Sequence, residues 1–219
     1  MPQFPSDIQS LNYYMSFQFS QYQRNSIASG AQIVAGAGVS CILPMPEKIN
    51  DHPSVDWMPK SFGEDIMSKA MGQTGVSALQ AVGYLDGSIP NPLLVMLFKS
   101  PTFKKFSFSW TLAPKNSNES DSLDSIVKQF RKSMQPRKGS GAGGAGGNGV
   151  TLGYPDVVTV KFNPANKLFT FKPCVIESID VDYTGAGMPA FFKSSQAPVQ
   201  VKLKVNLTEI EYWTQDDLP

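Results

Sequence analysis

Lys105-Phe106-Ser107-Phe108-Ser109-Trp110-Thr111-Leu112 decides the class of fold. Successive side chains of an extended chain point to opposite sides. Phe106, Phe108, Trp110 and Leu112 therefore share one face, and Lys105, Ser107, Ser109 and Thr111 the other. Residues 199–207 repeat the pattern, with Val199, Val201, Leu203, Val205 and Leu207 set against Gln200, Lys202, Lys204 and Asn206. Met15, Phe17 and Phe19 mark a further strand, and residues 157–162 another. Longer apolar stretches at 168–183 and 199–213 change phase midway: Phe169 and Phe171 give way to Cys174 and Ile176, and Leu207 to Ile210 and Tyr212. A change of phase inside a strand predicts a bulge or bend.

One segment departs from this period. Leu123, Ile126, Val127, Phe130 and Met134 recur at i, i+3, i+4, i+7 and i+11, the packing stripe of a helix over 119–134. Glu119, Asp121 and Asp124 lie early and Lys128, Arg131 and Lys132 late, matching the helix dipole. Asn118 is the expected N-cap and Pro136 the stop. The fold class expected is therefore mainly β, a sheet with one amphipathic helix packed on it.

The chain has 219 residues, 41% hydrophobic and 17% charged, enough for a single domain over 1–219 with insertions. Residues 60–90 are expected to hold a small helical insertion, in which Ile66, Met67, Ala70 and Met71 have helical spacing until Gly72 and Gly75 weaken it. Residues 27–46 carry no charge, but Ser29, Gln32, Ser40 and Gly30, Gly36 and Gly38 favour a loop entering a strand at 40–43 over a membrane span. Pro44 and Pro46 then end that strand or hold it at a sheet edge. Residues 50–57 are turn-rich and end in Trp57, which reads as an ordered loop or hairpin tip.

Nineteen basic and eighteen acidic residues leave a charge of +1, so no global field draws the protein to nucleic acid or lipid. No secretory pattern is seen at either end, and synthesis and retention in the cytosol are expected. Cys41 and Cys174 sit in apolar stretches as small hydrophobes. With His52 as the one histidine and no Cys-x-x-Cys, a zinc site is not expected.

Gly141-Ala142-Gly143-Gly144-Ala145-Gly146 satisfies the Gly-x-Gly-x-x-Gly spacing, which raises a nucleotide-binding enzyme as a reading of another class. That fingerprint works between a strand and the start of a helix, and here it follows a helix and precedes a strand. Residues 137–150 read instead as a flexible glycine-rich loop. Nor does His52 have a Gly-x-Ser-x-Gly partner for a hydrolase triad. No cofactor and no enzymatic activity are expected.

The block Asn91-Pro92-Leu93-Leu94-Val95-Met96-Leu97-Phe98-Lys99, then Phe106 to Lys115 and the amphipathic helix, resembles the tail-tube family of contractile-tailed bacteriophages. Phe171-Lys172-Pro173-Cys174-Val175-Ile176-Glu177-Ser178-Ile179-Asp180, followed by 199–211, is similar to the C-terminal part of that family's baseplate tube-cap branch in T-even-like phages. Ile42-Leu43-Pro44-Met45-Pro46-Glu47 resembles an early strand of the same family. The resemblance implies a tail-tube-type β-sandwich or barrel, six copies per ring, around a lumen that conducts DNA without sequence-specific binding. It implies a virion protein of the tail baseplate, assembled in the host bacterial cytoplasm, with no membrane partner. Its partners would be the baseplate hub and an adjacent tube-initiator or tail tube ring. A major tail tube subunit or a tube terminator is the alternative within the class. Given such a ring, Asn50, Asp51, His52 and Trp57 are the expected contacts between rings, since loops at sheet ends adapt to unlike neighbours.

Overall fold

A computed structural model describes residues 1–21, 38–61, 94–138, 152–164, 168–184, 187–193 and 195–217. Most of the expected helical insertion at 60–90 and of the glycine-rich loop at 137–150 lies outside these residues. So does the uncharged run up to residue 37. The chain forms two compact units, Met1–His52 with Phe103–Pro219, and Pro53–Thr102.

The larger unit is built on a six-stranded antiparallel sheet in the order β2-β1-β8-β9-β10-β5. Its strands are β1 (Tyr14–Gln21), β2 (Ser40–Pro44), β5 (Lys105–Leu112), β8 (Asp156–Asn163), β9 (Cys174–Asp182) and β10 (Val201–Glu209). Alternation places one apolar row per strand on the same side. Met15, Phe17 and Phe19 of β1, Phe106 to Leu112 at every second position of β5, and Val201 to Leu207 likewise of β10 are buried in a single core.

Helix α1 (Ser117–Met134) packs on that side with Leu123, Ile126, Val127 and Phe130 buried, and Met134 partly buried against the core. The Phe130 ring meets Phe17 and Phe19 edge-on, each at 5.1 Å between centroids. Sequence spacing puts the cap at Asn118, but the helix begins two residues earlier: the Asn116 side chain accepts the Glu119 N–H at 2.9 Å. Asn116 has extended backbone, as an N-cap requires, while Asn118 already lies in the first turn.

The expected strand over 168–183 shortens to Cys174–Asp182. Residues 168–173 make no ladder, because Pro173 has no N–H and the Lys172 N–H donates to the Glu209 carboxylate at 2.9 Å. They still cover the core, with Phe169 and Phe171 stacked among Phe106, Phe108 and Phe162. A second change of phase is a true bulge, for Asn206 pairs with Ser178 but Leu207 with Ile176, leaving Glu177 as the extra residue of β9. At 199–213 no bulge exists, since β10 keeps its alternation to Glu209, which is itself buried, and then stops.

The sheet curls until its far edges meet. Chain leaving β2 runs beside β5, where the Trp110 indole N–H donates to the Pro44 carbonyl at 2.8 Å and the Glu47 N–H to the Ser109 carbonyl at 3.0 Å. The other side of β2 is covered by the N-terminus, whose Phe4 N–H donates to the Ile42 carbonyl at 3.0 Å. Arg137–Lys138 (β6) and Leu152–Gly153 (β7) make a separate two-stranded ladder. The first two residues of the expected glycine-rich loop are therefore strand.

The described residues of the smaller unit form a ribbon of β3 (Val55–Ser61) and β4 (Leu94–Pro101), antiparallel, with a register shift between Asp56 and Trp57. Trp57, expected in a loop or at a hairpin tip, is instead a ladder residue opposite Phe98. Only residues 50–54 of that stretch lie outside regular structure.

Candidate interaction surfaces

Two surfaces of unlike chemistry stand out, one on each unit. On the ribbon, Val55, Trp57 and Pro59 alternate onto one face, and the pairing brings Phe98 and Met96 beside them. The Trp57 and Phe98 rings meet edge-on at 5.8 Å. Val55, Trp57, Met96 and Phe98 nevertheless remain 53, 53, 56 and 54% exposed. The opposite face carries the Asp56–Lys99 pair at 3.3 Å together with Met58, Leu97 and Val95, so apolar side chains are exposed on both faces. An exposed apolar row of this kind is a candidate contact surface.

On the larger unit, the side of the sheet away from the core is polar in rows. Thr111, Lys202 and Asp182 are neighbours across β5, β10 and β9, and Ser109, Lys204 and Asp180 form the next row. Ser107, Asn206 and Ser178 follow, with the Asn206 amide donating to the Ser178 hydroxyl at 2.7 Å. Lys105 reaches the bulge residue Glu177 at 3.0 Å. Glu47 accepts from both the Ser109 and Thr111 hydroxyls, at 3.2 and 2.6 Å, so its carboxylate lies on this face as well. The Thr184 hydroxyl and amide, aided by Lys202, hold the Asp182 carboxyl below its ordinary range.

Of the residues expected at a ring contact, Asn50, Asp51 and His52 are exposed on the larger unit, and Trp57 belongs to the ribbon. Asp51 is tied into a cluster that nothing in the sequence announced. Lys104 bonds Asp51 at 3.0 Å and lies 4.8 Å from the centre of the Trp213 ring. Lys172 lies 5.0 Å from the same ring and bonds Asp217 at 2.7 Å, holding that carboxyl down at about 2. Beneath them the Trp213 indole N–H donates to the buried Glu209 at 2.6 Å. Burial pushes the Glu209 carboxyl up, against the pull of these donors and of both lysines. Its partners stand 37 and 4 residues away, so only folding assembles the set. The cluster fastens the C-terminal segment to the sheet.

Glu119 performs the same service at the N-terminus. It accepts the Ser6 N–H and hydroxyl at 3.1 and 2.9 Å and the Lys115 N–H at 2.8 Å. The spacing Asn116-x-x-Glu119 is a capping-box signal legible in the sequence, although here the glutamate serves the residues before the cap. Among the described residues no group of three or more His, Cys, Asp or Glu is placed to hold a metal ion. No described helix is long and apolar enough to cross a membrane. Compared with known protein families the sequence matches none, and no curated protein matches it.

Proposed function

We propose that the chain is a virion structural protein. It forms a six-membered ring at the junction of the baseplate and the tail tube, docks on the central hub and initiates the tube around a DNA-conducting lumen. The observation that carries this reading is the ribbon face of Val55, Trp57, Met96 and Phe98, an apolar surface that asks for a protein neighbour. Two further features support it. A curled sheet with a dry, helix-covered side and a hydrated side suits the wall of a water-filled channel. Strand β5 is the last strand of the sheet, and among the described residues one backbone bond, from the Glu47 N–H to the Ser109 carbonyl, crosses its outer edge, a strand edge of the kind that ring closure would cover. The resemblance at 91–99, 106–115 and 171–180 selects a tail tube junction from among other assemblies.

Negative-stain imaging of the purified chain with the hub protein is expected to show six-membered rings. Monomers or dimers alone, with hub present, would overturn the proposal. Unlimited stacking of the chain on itself would assign it instead to the tube subunits, since a cap needs two unlike faces.

A further inference from the structure

Helix α1 leaves one flank of its buried stripe open to a groove. Leu123, Asp124 and Val127 line it from the helix, with Asp121 three residues before Asp124 on the same flank. Tyr183, just after β9, Pro198, and Val201 at the start of β10 line it from the other side. Backbone bonds hold that second wall in place: the Phe192 N–H donates to the Ala197 carbonyl at 2.9 Å and the Val199 N–H to the Ala190 carbonyl at 3.0 Å.

The groove has a volume of about 240 Å³. Sites for drug-sized ligands span roughly 300–1,000 Å³, so the space suits a single long side chain better than a cofactor. Its floor is dry, since Leu123, Val127 and Val201 are buried. Its rim is acidic. Asp121 and Asp124 are exposed and lie past the first helical turn, where the N-terminal amides no longer offset a carboxylate. Asp124 is paired with Lys128 at 2.6 Å, whereas Asp121 has no ion pair among the described residues. Arg131, roughly 15 Å along the helix axis from Asp121, donates to the Tyr183 hydroxyl at 3.4 Å, so the two ends carry opposite charge.

A methylene stem on a dry floor with a cationic head at an acidic rim is how lysine and arginine side chains lie on protein. A purely aliphatic side chain would leave Asp121 unanswered, and an acidic one would meet two carboxylates.

We propose that this groove receives a lysine or arginine side chain of a protein neighbour, its stem on Leu123, Val127 and Val201 and its head at Asp121 and Asp124. The site lies on the helix-bearing side of the sheet and does not depend on ring formation.

The probes are Nα-acetyl-lysine amide and Nα-acetyl-arginine amide, titrated into the full chain while its backbone amide shifts are followed by NMR. Two partial probes divide the contacts. Nα-acetyl-norleucine amide carries the stem without the charge, and ammonium chloride the charge without the stem. Both basic probes are expected to give saturable shifts at residues 120–127 and 197–201. Each partial probe should bind roughly fivefold or more weaker, and Asp121→Asn should weaken the basic probes by a similar factor. Glu211→Gln, at an exposed acid elsewhere, should leave them unchanged. Ala197→Phe, which fills the groove from its wall, should abolish binding and keep the thermal melt of wild type. Norleucine binding as tightly as lysine, wild-type binding by Asp121→Asn, or shifts spread over exposed acids in general would each overturn the proposal. Should Asp121→Asn fail to fold, Ala197→Phe decides alone, and undiminished binding by it overturns the proposal.

Discussion

Phe17 on β1 and Trp110 on β5 meet edge to face, 5.9 Å between ring centroids, although β8, β9 and β10 separate their strands in the sheet. A flat sheet would hold them apart by the width of several strands, about 4.8 Å each. Their contact measures how far the sheet has curled, and it joins the two ends of the core. Phe17→Ala and Trp110→Ala should each cost ~3–5 kcal/mol as large-to-small core changes. The double variant should cost less than their sum by about 0.5–1.5 kcal/mol, the worth of an aromatic pair. Urea unfolding of the four proteins checks this, and strict additivity would mean that the rings do not support each other.

The helix stripe supplies a second comparison. Phe130 is fully buried between Phe17 and Phe19, so Phe130→Ala should cost ~3–5 kcal/mol. Lys132, exposed on the opposite side, should cost under ~0.5 kcal/mol when replaced by alanine. Thermal melts that show equal losses would place the apolar stripe against a partner and not against the core.

Glu119 provides a pH signature. Three donors from Lys115 and Ser6 hold its carboxyl below the ordinary glutamate range in the folded protein. A carboxyl lowered on folding contributes stability that is fully present above its unfolded pKa, about 4.3, and is lost as pH falls through the folded value. Glu119→Gln should therefore be less stable than wild type by ~1–3 kcal/mol at neutral pH, because an amide cannot accept from both sides. The difference should shrink as pH falls below about 4. Denaturant unfolding at a series of pH values measures it, and a gap that stays constant down to pH 3 would contradict the bonding scheme.

Both cysteines should be inert in the folded chain. Cys41 and Cys174 are buried, and burial pushes the Cys41 thiol up to about 12 and Cys174 higher still. Thiolate is the reactive form, so a disulfide reagent at pH 8 should titrate neither within minutes, and both after denaturation. Fast native reaction at either position would contradict this packing.

Trp57→Ala and Phe98→Ala test the ribbon. Each removes an exposed aromatic, so the larger unit should melt as wild type does while ring formation with the hub is lost. If ring stacking survives and the isolated subunit is destabilised, Trp57 belongs to a core and the contact assignment fails.

The sequence by itself determined which side of each strand is dry and where the helix stripe lies. Both follow from local periods of 2 and 3.6 residues that any packing must respect: Phe106 to Leu112 and Leu123 to Met134 read correctly without knowledge of their neighbours. It also located the change of phase in 168–183, because a side chain cannot switch faces without extra backbone. The cause there is the ladder-free segment at 168–173, and the separate bulge at Glu177 went unread, since only the partners Ser178 and Ile176 fix it. Only the tertiary structure set strand order, the curl that brings Glu47 to Ser109 across 62 residues, and the rows that place Lys202 and Lys204 opposite Asp182 and Asp180. Those relations join residues far apart in the chain, and their energies depend on pairings that no local period encodes.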